Sequence, residues 1–215
     1  IRDRVDYALG RIFGCLREND LFKNTWIIFT ADHGEMLGDH HMSQKNLFFE
    51  GSAHVPLLIM PPQGRSLPQN ISVEAPTDLV DLYPTILAMA GLSSPVSVSG
   101  RNLLEPVPMD RIFFGNSLNR NFCVMEEKVK LVYSAVGDHV LLFDLNTDPM
   151  EQHNLAEDPA WQERKAKLWK LLLEHTAQYT PEALDEKGQF LTYEAPHFPG
   201  DVPGRWFGFH YHDYS

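Results

Sequence analysis

Cysteine is nearly absent. Cys15 and Cys123 are the only two in 215 residues and stand far apart, which excludes a disulfide framework as the source of the fold and leaves the redox compartment open. Positive charge is scarce as well, with 18 Lys and Arg against 29 Asp and Glu and a formal net charge of −11. Such a chain has no broad basic surface, so nucleic acid is excluded as the expected partner, and an anionic substrate must be held by a few local cations or a metal. No apolar run reaches the roughly 20 residues of a membrane-spanning helix, and no secretory leader, internal repeat or low-complexity tract is visible. What remains has 43% hydrophobic residues, enough for a globular core at this length.

The first residues carry a helical pattern, with Val5, Leu9, Ile12 and Leu16 on one face, and neither an initiator Met nor a capping residue precedes it. That start is expected of a fragment. Trp26-Ile27-Ile28-Phe29-Thr30 is an unbroken apolar and β-branched run, read as a strand buried on both faces of a parallel α/β sheet. A second such run spans Val55 to Met60 and stops at Pro61-Pro62. The polar, His-rich segment between them, Asp32 to His54, is longer than a plain connection requires, as functional loops are. Pro84 suits the first turn of a helix that runs to Ala90 and ends at Gly91.

From Arg111 to Leu145 the texture changes to short β-rich runs separated by Gly, Asn and Asp, which predicts an antiparallel meander. A helix from Pro159 to near Tyr179 follows, with Trp161, Leu168, Leu172 and His175 on one face, and it is expected to pack on that meander. The remainder is rich in Pro, Gly and aromatics without a period. These shifts divide the chain into 1–110, 111–180 and an extended aromatic tail, 181–215.

In an open α/β sheet, ligands bind outside the carboxyl ends of the strands, and Asp32-His33-Gly34 stands at the end of the first apolar run. A carboxylate and an imidazole on adjacent residues can ligate one divalent ion if the backbone bends sharply, and Gly34 permits the bend. Alone, the same tripeptide also suits an Asx turn with a surface histidine. The surroundings narrow the reading. Thr30 to His40 (TADHGEMLGDH), Lys45 twelve positions beyond His33, and Phe49 to Ile59 (FEGSAHVPLLI) form a continuous pattern. Further blocks are Leu21 to Thr25, Asp81 to Ile86, Ala90-Gly91, Gly100-Arg101, Phe143-Asp144-Leu145 and Asp148 to Leu155 (DPMEQHNL). Over roughly residues 1 to 180 this pattern resembles the sulfatase family of the alkaline-phosphatase-like superfamily, in its carboxy-terminal portion.

The resemblance implies an α/β fold: a mostly parallel sheet with helices on both faces, plus a small carboxy-terminal antiparallel sheet packed on a helix. Residues 1–110 would then be the later part of the catalytic domain. It implies a divalent cation, usually Ca2+ and otherwise Mn2+ or Mg2+, held partly by Asp32 and His33. Lys45 would bind the sulfate group and offset charge in the transition state. His40 and His41, in the same loop, could reach the leaving group, although exposed loop histidines are common. His54 stands where relatives have Arg or His and is expected to pack at the strand start. In the tail, Arg205 and His210 lie among aromatic rings, as on sugar-stacking surfaces or in a plain packing tail.

The nucleophile is the departure from the pattern. Sulfatases use a formylglycine made from Cys or Ser within Cys/Ser-x-Pro/Ala-x-Arg, and neither Cys15, followed by LREN, nor Cys123, followed by VMEE, fits. The resemblance therefore places formylglycine upstream, in an amino-terminal half that would be this chain's partner. The expected activity is hydrolysis of a sulfate ester on a saccharide or aryl group, with this chain alone inactive. Two alternatives remain at this stage: a phosphodiesterase or phosphonate monoester hydrolase of the same superfamily, and a non-catalytic fragment that only binds an anion.

Overall fold

The computed structural model describes residues 2–45, 47–65, 71–95 and 97–194. The predicted first helix, α1, spans Arg2–Glu18. Its apolar stripe is only half covered: Leu9 and Leu16 are partly buried, while Val5 and Ile12 stay exposed. Strand β1, Ile27–Thr30, forms where the β-branched run predicts it. It pairs with β2, Leu57–Met60, from Ile27 opposite Met60 to Thr30 opposite Leu57.

That pairing is antiparallel, which corrects the expectation of a parallel neighbour for this strand. A parallel return needs a crossover element of a dozen residues or more. Among the described residues, the only α-helix in this connection is α2, Glu50–Ala53, a single turn. Burial on both faces is not seen either, because Phe29, Leu58 and Met60 are exposed among the described residues. Helix α3, Leu82–Met89, carries Pro84 in its first turn and is followed by Gly91 at φ 73°, as its punctuation predicts.

The meander consists of β3 (Phe113–Ser117), β4 (Asn121–Glu126), β5 (Val129–Ser134) and β6 (His139–Asp144), paired antiparallel in that order. Asp158 caps the turn at Pro159 by accepting from the Ala160 N–H at 2.9 Å, and α4, Gln162–Tyr179, follows. The period-2 alternation of the inner strands divides the sheet into two buried faces. Phe122, Val124, Leu131, Tyr133 and Leu142 meet Leu168 and Leu172 of α4. From the opposite face Cys123, Val132 and Phe143 meet Met36, Leu47 and Phe49, which belong to the loop after β1. The sheet is thus a wall with a helix on one side and the His-rich loop on the other. β5 is buried at every position because both faces are occupied.

Candidate active site

The loop gains its shape from its backbone. Gly34 N donates to the Ser52 carbonyl at 2.7 Å, which clamps the residue after His33 against α2. A Cβ at position 34 would run into the Gly51 carbonyl, so this close approach requires glycine. Met36 N donates to Gln44 O at 3.0 Å and Gly38 N to Met42 O at 2.8 Å. The Glu35 carboxylate accepts from the Gln44 N–H. Within this hairpin-like turn Leu37, His40, His41 and Gln44 all take φ between 51° and 69°. Non-glycine residues enter that region at a cost of about 1–2 kcal/mol each, which the burial of Met36, Leu47 and Phe49 offsets.

Three of the residues singled out in the sequence come together at the end of β1. His33 Nε2 lies 3.4 Å from Asp32 Oδ2, and the Lys45 ammonium touches the same ring nitrogen. The other nitrogen, His33 Nδ1, is 2.7 Å from the Gly34 carbonyl, an acceptor, so Nδ1 carries the hydrogen and Nε2 presents its lone pair. The Asp32 side chain is 84% exposed and that of His33 35% exposed, leaving both open to solvent and ligand. Asp32 Oδ1 accepts from the His33 N–H at 3.1 Å, which ties the carboxylate locally.

This donor pair suits a divalent cation. Two ligand atoms on one ion at bond lengths of about 2.0–2.6 Å sit about 2.8–3.7 Å apart when they subtend a right angle, and the 3.4 Å between Asp32 Oδ2 and His33 Nε2 falls in that range. A Nδ1–H donating to a carbonyl is also the arrangement that orients a metal-bound histidine. No set of three or more His, Cys, Asp or Glu converges among the described residues, which therefore offer this pair of donors rather than a complete shell. Lys45 shares the Nε2 lone pair.

The remaining residues fall differently. His40 stacks on Phe49, with ring centroids 4.1 Å apart and an interplanar angle of 13°, so its ring helps to seat the loop on the sheet. His41 is exposed next to it. His54 Nδ1 pairs with Glu50 Oε2 at 2.8 Å. Arg205 and His210 lie outside the described residues.

Sequence reasoning missed a group of charges beneath the loop. Lys130 Nζ reaches Glu50 Oε1 at 2.5 Å, Glu151 Oε1 at 2.7 Å and the Phe48 carbonyl at 2.8 Å. Lys130 and Glu151 are each 3% exposed. Burial alone would pull the Lys130 pKa down, but Cys123, Glu151 and Glu50 around it more than offset this and raise it, so the lysine stays charged. A signal was present: a lysine within the otherwise apolar run Val129 to Tyr133 needs a buried partner.

Residues 3–92 match the family model described as Sulfatase. Arylsulfatase K of Xenopus laevis is 34% identical over 172 residues, a match covering 71% of this chain and 32% of that protein. The phosphonate monoester hydrolase of Agrobacterium radiobacter superposes with a TM-score of 0.66 at 32% identity, over 86% of this chain and 42% of that one. The structure of BT4656 in complex with its substrate D-glucosamine-2-N,6-O-disulfate gives a TM-score of 0.67 at 25% identity, over 85% and 40%. The chain spans about a third of the length of the curated relatives it matches. With the Asp32-His33-Gly34 turn inside the matched segment and the α/β fold shared with these structures, the chain belongs to the sulfatase family.

Proposed function

We propose that this chain is the carboxy-terminal portion of an enzyme that hydrolyses a sulfate ester on a saccharide or aryl group. The observation that carries the reading is the meeting of Asp32, His33 and Lys45 at the end of β1. Asp32 and His33 would hold part of a divalent cation site, with Ca2+ favoured and Mn2+ or Mg2+ as substitutes, and the cation would draw charge off the ester oxygens. Lys45 would meet the sulfate group beside the cation and offset charge as the ester bond breaks. The Gly34 carbonyl keeps the proton on His33 Nδ1, so the ring accepts at Nε2 throughout. The other ligands and a formylglycine nucleophile would come from the rest of the polypeptide, since the relatives are about three times as long as their match here.

Sulfated saccharides are favoured as substrates because the structurally similar BT4656 is described with D-glucosamine-2-N,6-O-disulfate as its substrate. A second reading, phosphonate monoester hydrolysis, is supported by the likeness to the Agrobacterium radiobacter enzyme. The test is to express the full-length protein with a formylglycine-generating system and assay an aryl sulfate, sulfated glucosamines and an aryl phosphonate side by side. Sulfate release with little phosphonate cleavage is expected. Phosphonate cleavage alone would replace the first reading with the second, and inactivity on all three would leave anion binding only.

A further inference from the structure

The buried charges beneath the loop are expensive for what they contribute to stability, since a buried ion pair is commonly matched by apolar residues of similar volume. Glu151 adds a further cost by adopting φ 55°, a region that costs a non-glycine residue about 1–2 kcal/mol. Its turn is built to hold it there. The Asp148 carboxylate accepts from His153 N at 2.8 Å, and Asn154 Oδ1 accepts from Leu142 N at 2.9 Å and Ala156 N at 3.0 Å. The DPMEQHNL segment is thus a frame that drives one carboxylate inward.

That carboxylate reaches α2. Glu151 Oε2 accepts from the Glu50 N–H at 2.7 Å, at the start of a four-residue helix that has no cap from its own preceding side chain. So short a helix does not hold itself together. Lys130 fixes the same turn from its other atoms, through Phe48 O and the Glu50 carboxylate. The turn in turn supplies Ser52 O to Gly34 N, and Gly34 O sets the His33 ring. A continuous run of short contacts therefore leads from the 148–154 turn to the imidazole.

We infer that Lys130 and Glu151 are positioning residues, which hold α2 and through Gly34 fix the orientation and tautomer of His33 for cation binding. The inference rests on the reading of Asp32 and His33 as cation ligands. The role of the carboxy-terminal sheet is then to brace the site through its wall, as well as to close the fold.

The experiment is calcium titration by calorimetry on full-length protein, wild type beside E151A and E151Q, with thermal unfolding measured in chelator. Glu151→Ala removes the acceptor from the Glu50 N–H and is expected to weaken calcium binding about tenfold, at the low end for residues that orient a ligand from outside the shell. Glu151→Gln keeps an oxygen for that N–H and should recover most of the loss, leaving about a threefold deficit. Equal calcium affinity in all three, with only the unfolding temperature lowered, overturns the inference and leaves a purely structural role. If E151A does not fold, E151Q decides alone, an unchanged Kd again overturning the inference. Wild-type protein that binds neither calcium nor manganese would instead remove the cation reading itself, so the two failures are distinguishable.

Discussion

The β3–β6 sheet and the β1–β2 pair are made of similar residues and behave differently. In the larger sheet every position of β5 is buried, with α4 on one face and the loop on the other. In the smaller one Phe29, Leu58 and Met60 are exposed, and α1, which precedes it in the chain, leaves Val5, Tyr7 and Ile12 to solvent. A strand sequence states that it will pair, but covering its faces needs other elements. The wall is complete within the described residues, and the region carrying Asp32 and His33 leans on it.

Asp81, at the start of α3, ties that helix to Arg111 just before β3 and offers the largest effect on stability. It is fully buried and accepts from Arg111 Nη1 at 2.5 Å and Nη2 at 2.9 Å, and from the Arg101 and Asp78 N–H groups at 2.8 Å each. Asp81→Ala leaves the Arg111 guanidinium without its buried partner and should cost about 3–5 kcal/mol in chemical denaturation. A loss below 1 kcal/mol would mean that α3 is held to the start of the wall by other contacts. Next, Leu142→Ala in the wall should cost about 2–5 kcal/mol, against less than about 1 kcal/mol for Leu58→Ala on the open pair in the 215-residue chain. Equal losses would erase the contrast.

Lys45→Ala separates function from folding: turnover of the full-length enzyme should fall by roughly 10²–10³, with an unfolding midpoint within experimental scatter of wild type. An unchanged rate would make Lys45 an ordinary surface lysine. The smallest expected effect is pH dependence within the wall. His175 stacks on Phe114 at 3.9 Å, and burial lowers its pKa below the ordinary 6.5. The unfolded chain therefore binds the proton more readily, so this contribution is complete above about pH 6.5 and is lost as the pH falls from there through the lower folded value. His175→Phe should flatten stability between pH 7 and 5, and an unchanged slope would assign it to other groups.

Much of this was legible in advance. Turn punctuation and period-2 runs located β3 to β6, and Asp158-Pro159 located α4, because those signals are local. The family pattern singled out both Lys45 and His33, but their contact is seen only in the structure. The antiparallel return of β2 was not legible, because strand direction depends on how the connection packs and not on the strand's own residues. The Lys130, Glu50 and Glu151 group was hidden for a similar reason: its members lie up to 101 positions apart, and only the fold brings them together. His40 was read as able to reach the leaving group; its stack on Phe49, at φ 52°, was not legible because Phe49 meets it only in the folded loop.

The cysteines differ as the two regions do. Cys123 is enclosed in the wall, where burial pushes its thiol up to about 12, while Cys15 is exposed on α1. At neutral pH a maleimide dye should therefore label one position only, without any mutation. That fluorophore would sit on the uncovered helix, and its emission in the 215-residue chain and in longer forms of the protein would show directly whether other residues come to cover α1.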